Sequence, residues 1–296
     1  MAKAGTELAE LNAADRDAFV AALGGVFENA PWVAERAGSG RPFATVGDLH
    51  HALMGALKGA SEAEQMAFIR GHPELGSNMA RSGAMTQASR QEQGSLGLDR
   101  LSEAEFQRFE RLNGDYREQF GMPFIICVGR HTRPSILSEF ARRIANDRAA
   151  ERAAALDEVG HITRLRLNEI VEGPGKPPTD GRLSTHVLDL VSGRPATGVR
   201  VVLKELGLGS EGVLKEAVTN ADGRTDAPLL AGGPLRVGSY EIAFHIAAYF
   251  AKRGVSASRP PFLDVVPIRF AIAEPEAHYH VPLLASPWAY STYRGS

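Results

Sequence analysis

Val171-Glu172-Gly173-Pro174-Gly175-Lys176-Pro177-Pro178-Thr179-Asp180-Gly181 divides this chain in two. With three prolines, three glycines and almost no apolar content, it reads as a linker, placed at residues 171–182. On either side the periodicity of the sequence differs. Residues 1–170 are rich in Ala, Glu, Arg, Leu and Gln and carry helix punctuation, so they read as an all-α domain. Residues 183–296 consist of short β-branched runs separated by turn residues, the pattern of a small all-β sandwich. No internal repeat relates the two parts.

Within the first part, Ser61-Glu62-Ala63-Glu64 and Ser102-Glu103-Ala104-Glu105 each place Ser three residues before Glu at the head of an apolar-periodic run. That spacing lets the two side chains cap each other's backbone, so each predicts a helix start. The second helix should run through Phe106, Phe109 and Leu112 to Phe120, with Gly121 as a left-handed stop and Pro123 beyond it. A further helix is expected from Pro134 through Ile136, Leu137, Phe140 and Ile144, which build one apolar face. In the second part, strands are predicted at 184–190, 199–206, 215–219, 239–243, 262–272 and 278–284. A turn is predicted at Asn220-Ala221-Asp222-Gly223, and a short helix within 242–253 closed by Gly254.

The bulk properties exclude several classes. A chain of 296 residues has room for two cores, and 44% hydrophobic with 23% charged residues is the composition of a globular protein. The formal charge of −2, with both signs interspersed, gives no footprint for nucleic acid or an anionic membrane, so a small-molecule or protein partner is expected. Cys127 is the only cysteine and sits in the apolar run PFIICV, which excludes an internal disulfide and predicts a buried thiol. The first residues lack the basic-then-apolar layout of a secretory signal, and no apolar stretch approaches the ~20 residues of a spanning helix. Cytoplasm is the expected compartment.

The chemistry-bearing residues are few. The second part holds histidines at 186, 245, 278 and 280. Alternation puts His186 on the face of Leu188 and Leu190, where a lone His is more often structural than catalytic. His278 and His280 share a strand face, but further ligands for a metal have no obvious source, so none is assigned. Arg224 follows the predicted turn and, taken singly, is a surface residue. In the first part His72 lies in the bracketed turn GHPELG (71–76), and Ser89, Glu92 and Gln93 stand at i, i+3 and i+4, one helix face that in isolation reads as solvated.

The strings LSTHVLDLVSGRPATGV (183–199), TNADGRTDAPLL (219–230) and HYHVPLLASPWAYSTYRGS (278–296) together resemble the 5-hydroxyisourate hydrolases of the transthyretin-like family. GHPELG (71–76), SRQEQ (89–93), FQRFERLNGDYREQFGMPFIICV (106–128) and HITRLRL (161–167) resemble 2-oxo-4-hydroxy-4-carboxy-5-ureidoimidazoline (OHCU) decarboxylases. The resemblances imply an all-α helical N-terminal domain and an all-β transthyretin-like sandwich C-terminal domain. They further imply consecutive steps of urate breakdown and no cofactor. A homo-oligomer is also implied, as a tetramer through the C-terminal domain with dimer contacts through the N-terminal one.

Residue by residue, the hydrolase resemblance implies His186, Arg224, His280 and Ser296 as catalytic, with Tyr293 at the substrate. The closing Tyr293–Ser296 tail, a segment that ordinarily frays, is then expected to dock against His186 and Arg224 near a subunit boundary. The decarboxylase resemblance implies His72 as catalytic with Glu92 as its acidic partner, the carboxylate keeping the imidazole protonated. It implies substrate contacts from Pro73, Ser89, Gln93, Phe124, Ile125, Ile126, Cys127 and Val128, and an anion-binding arginine at Arg166, with Arg164 as the competing choice. The rival reading is a transthyretin-like carrier of small ligands with a degenerate helical domain; the presence of His186, Arg224, His280 and the tail argues against it.

Overall fold

The computed structural model describes residues 5–76, 86–207, 212–255 and 258–295. Two compact units share the chain: one takes residues up to Gly129 together with Ile136–Pro178, the other Arg130–Ser135 together with Thr179 onward.

The described helices of the first unit are α1 (Leu8–Ala13), α2 (Arg16–Leu23), α3 (Pro31–Ala37), α4 (Val46–Lys58), α5 (Glu62–Arg70), α6 (Gln87–Ser95), α7 (Glu103–Phe120), α8 (Arg133–Arg143, from Ile136 on) and α9 (Arg148–Ile170). Both predicted capping boxes form, at Ser61/Glu64 on α5 and Ser102/Glu105 on α7. A third, Thr45/Asp48, starts α4. Gly121 closes α7 at φ 69°, the left-handed stop that a Cβ would disfavour.

Leu49, Leu53 and Leu57 on α4 and Phe106, Phe109, Tyr116 and Phe120 on α7 turn their spaced faces into one core. The rings of Phe124 and Phe140 stack there at 3.7 Å. That core also contains a charged pair. Arg143 and Glu151 are 1% and 0% exposed and ion-paired at 2.5 Å. Burial of both charges is tolerable because their remaining polar atoms are satisfied: Arg143 donates to the Ile125 carbonyl at 2.7 Å, and Tyr116 and Asn146 donate to Glu151.

The Pro/Gly stretch is bound down over its first half. Strand β1 (Thr6–Glu7) pairs in parallel with β2 (Val171–Glu172). Pro174 and Gly175 accept from the backbone N–H groups of Val46 and Gly47 at 2.9 and 3.0 Å.

The second unit is sheet-rich. One four-stranded sheet runs β12 (Tyr290–Ser291), β11 (Leu283–Ala285), β4 (Val187–Asp189), β5 (Arg194–Pro195). The other runs β7 (Gly212–Val218), β6 (Arg200–Leu206), β8 (Gly238–His245), β9 (Val265–Ile272). Strands β3 (Arg182–Ser184) and β10 (His278–His280) form a parallel pair. Alternate residues such as Val201, Leu203, Ile242, Phe244, Ile268 and Leu283 fill the core. Helix α10 (Ile246–Lys252) follows β8 and its turn ends at Gly254, φ 70°.

The single strands predicted at 184–190 and 278–284 each break in two. Pro282 has no N–H to donate, so the ladder cannot pass through it. The gap is bridged by Val281 donating to the Ser184 carbonyl at 3.0 Å and Leu283 to that of His186 at 2.8 Å. Thr185 Oγ1 also donates to the Val281 carbonyl at 2.7 Å.

Removing one member of the buried ion pair should leave the other charge uncompensated. Glu151→Ala is expected to destabilise the helical unit by about 3–5 kcal/mol. Urea unfolding followed by helical circular dichroism measures this, and a loss below about 1 kcal/mol would contradict the assignment.

Candidate active sites

In the helical unit, His72 lies just past α5, in the turn opened by Gly71. Its Nδ1 stands 3.1 Å from the Phe68 carbonyl, and its ring meets the Phe68 ring edge-on at 4.7 Å. A carbonyl only accepts, so Nδ1 carries the hydrogen and, in the neutral ring, Nε2 keeps its lone pair. Burial pushes the His72 pKa below the ordinary histidine value and outweighs the opposing pull of the Phe68 carbonyl and Glu28. The imidazole of the free chain is therefore neutral at neutral pH. This corrects the expectation of a standing imidazolium.

Helix α6, capped by Thr86, presents Ser89, Glu92 and Gln93 on one face, and burial of Ser89 and Gln93 (5% and 4% exposed) overturns the solvated-face reading. Gln93 braces the His72 turn: its Oε1 accepts from Gly76 N at 3.1 Å and its Nε2 donates to the Glu74 carbonyl at 3.4 Å. Pro73 lies in that turn, half-buried.

Arg166 comes from α9 and joins Ser89 and Glu92, whereas the Arg164 Nη2 lies 3.3 Å from His161. All of its donors are engaged. Nε and Nη2 grip Glu92 at 2.7 and 2.9 Å, and Nη1 bonds Glu28 at 2.8 Å and the Val26 carbonyl at 3.4 Å. Nη2 also reaches Ser89 Oγ at 3.4 Å. As it stands, Arg166 has no donor left for a substrate anion, a second departure from expectation.

The third departure concerns Glu92. Among the described residues no hydrogen bond joins it to His72; its partner is Arg166. The carboxylate whose field reaches His72 is Glu28, which the sequence reading missed. Glu28 is 6% exposed, sits at φ 38° in the left-handed region, and accepts from Thr86 Oγ1 and Ser89 Oγ at 2.9 and 3.0 Å. Burial opposes its ionisation, but Arg166 and Thr86 prevail and hold its pKa below the usual value.

Phe124, Ile125, Ile126, Cys127 and Val128 are all at most 5% exposed and packed in the core, so their side chains cannot line an open site. Of the expected substrate contacts there, only main-chain groups remain eligible.

In the sheet-rich unit, His186 precedes β4 and His280 ends β10. Parallel pairing brings them together, with His186 Nδ1 2.7 Å from His280 Nε2 and the rings stacked at 4.9 Å. His280 Nδ1 lies 2.8 Å from Ser184 Oγ, which is also 2.8 Å from His278 Nε2. Burial, then the neighbouring His186, Arg224 and His278, lower the His280 pKa to about 4. Burial and Arg224 lower that of His186 as well.

Arg224 is delivered by the predicted turn. Gly223 adopts φ 70°, and a Cβ there would lie 2.4 Å from the Val187 carbonyl oxygen, so only glycine fits. Asn220 Oδ1 caps the turn by accepting from Asp222 N and Arg224 N at 3.0 and 3.2 Å, and Arg224 bridges His186 through the backbone. Among the described residues nothing hydrogen-bonds its guanidinium.

The tail is docked. Gly295 N donates to the His280 carbonyl at 2.8 Å, Thr292 Oγ1 to that of Pro282 at 2.8 Å, and the Arg294 guanidinium covers the Tyr279 ring at 4.6 Å. Tyr293, expected against His186 and Arg224, is instead 54% exposed in the single chain. Ser296 lies outside the described residues.

The comparisons with known proteins follow the same division. Residues 12–168 match the family profile described as OHCU decarboxylase, and residues 183–295 match the HIUase/transthyretin family. The 5-hydroxyisourate hydrolase of Deinococcus radiodurans is 56% identical over 114 residues, 38% of this chain and 95% of that protein. The 2-oxo-4-hydroxy-4-carboxy-5-ureidoimidazoline decarboxylase of Haloferax volcanii is 43% identical over 162 residues, 55% of this chain and 94% of that protein. A crystal structure of (S)-allantoin synthase is 33% identical, spans 98% of this chain and 100% of its own, and superposes with a TM-score of 0.52. The chain therefore belongs to the OHCU decarboxylase family over its helical unit and to the HIUase/transthyretin family over its sheet-rich unit.

Proposed function

We propose that this chain is a bifunctional enzyme of urate breakdown. Its sheet-rich unit hydrolyses 5-hydroxyisourate to OHCU, and its helical unit decarboxylates OHCU to (S)-allantoin. The observation that carries the reading is the His186–His280 pair beside the unengaged guanidinium of Arg224. A carrier has no use for that combination, whereas amide hydrolysis needs both a base and an oxyanion partner.

In the hydrolysis, His186 Nε2 takes a proton from water as the oxygen bonds to the ring-amide carbonyl carbon. Arg224 holds the oxyanion that forms. Collapse breaks the carbon–nitrogen bond, the leaving nitrogen takes the proton back from His186, and the new carboxylic acid ionises. Water attacks directly, so no protein nucleophile is required.

In the decarboxylation, the bond from C4 to the carboxylate breaks and its electron pair forms a C4=C5 double bond. The electrons of the adjoining ring imine move onto its nitrogen, which takes a proton. The 4-hydroxyl then gives its proton to His72 Nε2, C4 becomes a carbonyl, and C5 receives the proton from His72 on one face. The neutral His72 tautomer fixed by Phe68 suits it to that shuttle. Glu28 and Glu92 outnumber Arg166 by one charge, which disfavours a bound carboxylate relative to departing carbon dioxide. Only Glu92, whose side chain is 32% exposed, can yield Arg166 to an incoming anion; Glu28 is buried behind it.

Exposed Trp288, Tyr290 and Tyr293 around β12 support assembly of the sheet-rich unit as a homotetramer, with dimer contacts assigned to the helical unit. Among the described residues no helix is long and apolar enough to cross a membrane; with the lone buried Cys127 this accords with a cytoplasmic enzyme.

Fresh 5-hydroxyisourate should lose its ultraviolet absorbance faster with the protein than without, and absence of acceleration would refute the hydrolase. His72→Ala should leave that step intact and slow decarboxylation by about 10²-fold or more. Equal loss of both steps would refute separate sites. The pH dependence follows from the histidine pair, which works as neutral imidazole. Burial and Arg224 lower the pKa of the base His186 below 6.5, and that of His280 falls to about 4, so hydrolysis should be suppressed by falling pH with a midpoint below 6.5. A half-maximal loss at 6.5 in the rate profile would contradict the assignment.

A further inference from the structure

Three hydrogen bonds in series lead from the His186 site to the surface. His186 Nδ1 lies 2.7 Å from His280 Nε2, His280 Nδ1 lies 2.8 Å from Ser184 Oγ, and Ser184 Oγ lies 2.8 Å from His278 Nε2. His280 and Ser184 are buried at 7% and 8% exposure, while His278 is exposed to solvent. The parallel register of β3 with β10 sets Ser184 opposite His280. Every member can both donate and accept a proton. In the neutral chain one orientation lets His186 donate to His280, His280 to Ser184 and Ser184 to His278, which leaves the His186 Nε2 lone pair free.

This wiring answers an electrostatic problem. When His186 takes a proton from water it becomes a cation beside Arg224, the guanidinium that lowers the pKa of both His186 and His280. His186 is faced by Arg224 and by the stacked His280 ring, and His280 by His186, Arg224 and His278.

We propose that Ser184 and His278 are positioning residues for the hydrolysis assigned above, forming a relay that moves the positive charge of protonated His186 out to the solvated His278 ring. The step balances. As Nε2 captures the proton of water, the Nδ1 proton of His186 shifts to His280, that of His280 to Ser184, and the hydroxyl proton of Ser184 to His278. When the carbon–nitrogen bond breaks, the three shifts reverse and Nε2 delivers its proton to the leaving nitrogen. No proton is gained or lost by the relay over the cycle, and its tautomers are restored. Ser184 also fixes which nitrogen of His280 bears hydrogen, and through it the free lone pair of His186.

The test uses the full chain, with initial rates of 5-hydroxyisourate loss measured in dilute buffer and with added imidazole. His278→Ala should lower kcat by about tenfold, less than the ~10²–10⁴ of a direct general base, and leave KM within about twofold. Imidazole should restore the rate by occupying the vacated surface position. Ser184→Ala should lose kcat without imidazole rescue, and Ser184→Thr, which keeps a hydroxyl, should retain most of it. A wild-type kcat in His278→Ala, or a loss that imidazole does not repair, would overturn the relay. His278 is exposed, so its variant decides the matter even if Ser184→Ala fails to fold. If the unmodified chain does not accelerate the reaction at all, it is the hydrolase reading that fails.

Discussion

The parallel pairing of β3 with β10 and of β4 with β11 is the constraint on which the sheet-rich site depends. Parallel strands cannot be joined by a tight turn, so these pairs unite the first and last segments of the unit across nearly its whole sequence. His186 and His280 gain their 2.7 Å contact from that closure alone. The same closure explains the tail. With β10 held in place, the His280 carbonyl is presented to Gly295, and the absence of a Cβ lets the backbone approach the His280 ring, which a Cβ would meet at 2.8 Å. Gly223 does the equivalent on the other side, bringing the Arg224 turn against Val187.

The helical unit meets the opposite problem, that of charges already buried. Arg143 and Arg166 are both nearly enclosed, and both are saturated by carboxylates and carbonyls. The two clusters nevertheless differ. Around Arg143 every partner lies in the core, which makes the cluster a structural anchor. Around Arg166 one carboxylate, Glu92, remains partly open to solvent, and the cluster adjoins a neutral, tautomerically fixed histidine. A buried network with one exchangeable member can respond to an incoming anion, whereas a closed one cannot. In both units burial is the chief cause that lowers the histidine pKa, at His72 in one and at His186 and His280 in the other.

What could be read from the sequence was local. Capping boxes span four residues, the stop at Gly121 one, and the Asn220–Gly223 turn four, so each declared itself without knowledge of the fold. Glu28 did not. Its partner Arg166 is 138 residues away, and its own neighbourhood reads as an ordinary surface turn; only the left-handed backbone and burial mark it out. For the same reason the contact of Glu92 with Arg166 was not legible, since helix spacing fixes a face but not what that face meets. The Phe124–Val128 run illustrates a third limit: family motifs mark residues that matter and do not say whether side chain or main chain is what matters. Ser184 passed unnoticed because a serine in a strand becomes informative only when its cross-strand neighbour is a histidine.

Two sites in one chain are proposed to carry out consecutive steps, the second by enzymatic protonation at a single face. The most direct measurement is the circular dichroism of the allantoin accumulating when the intact protein is supplied with 5-hydroxyisourate alone. Enzymatic protonation should give one enantiomer, (S), formed faster than the spontaneous reaction. A racemate appearing at the spontaneous rate would contradict it.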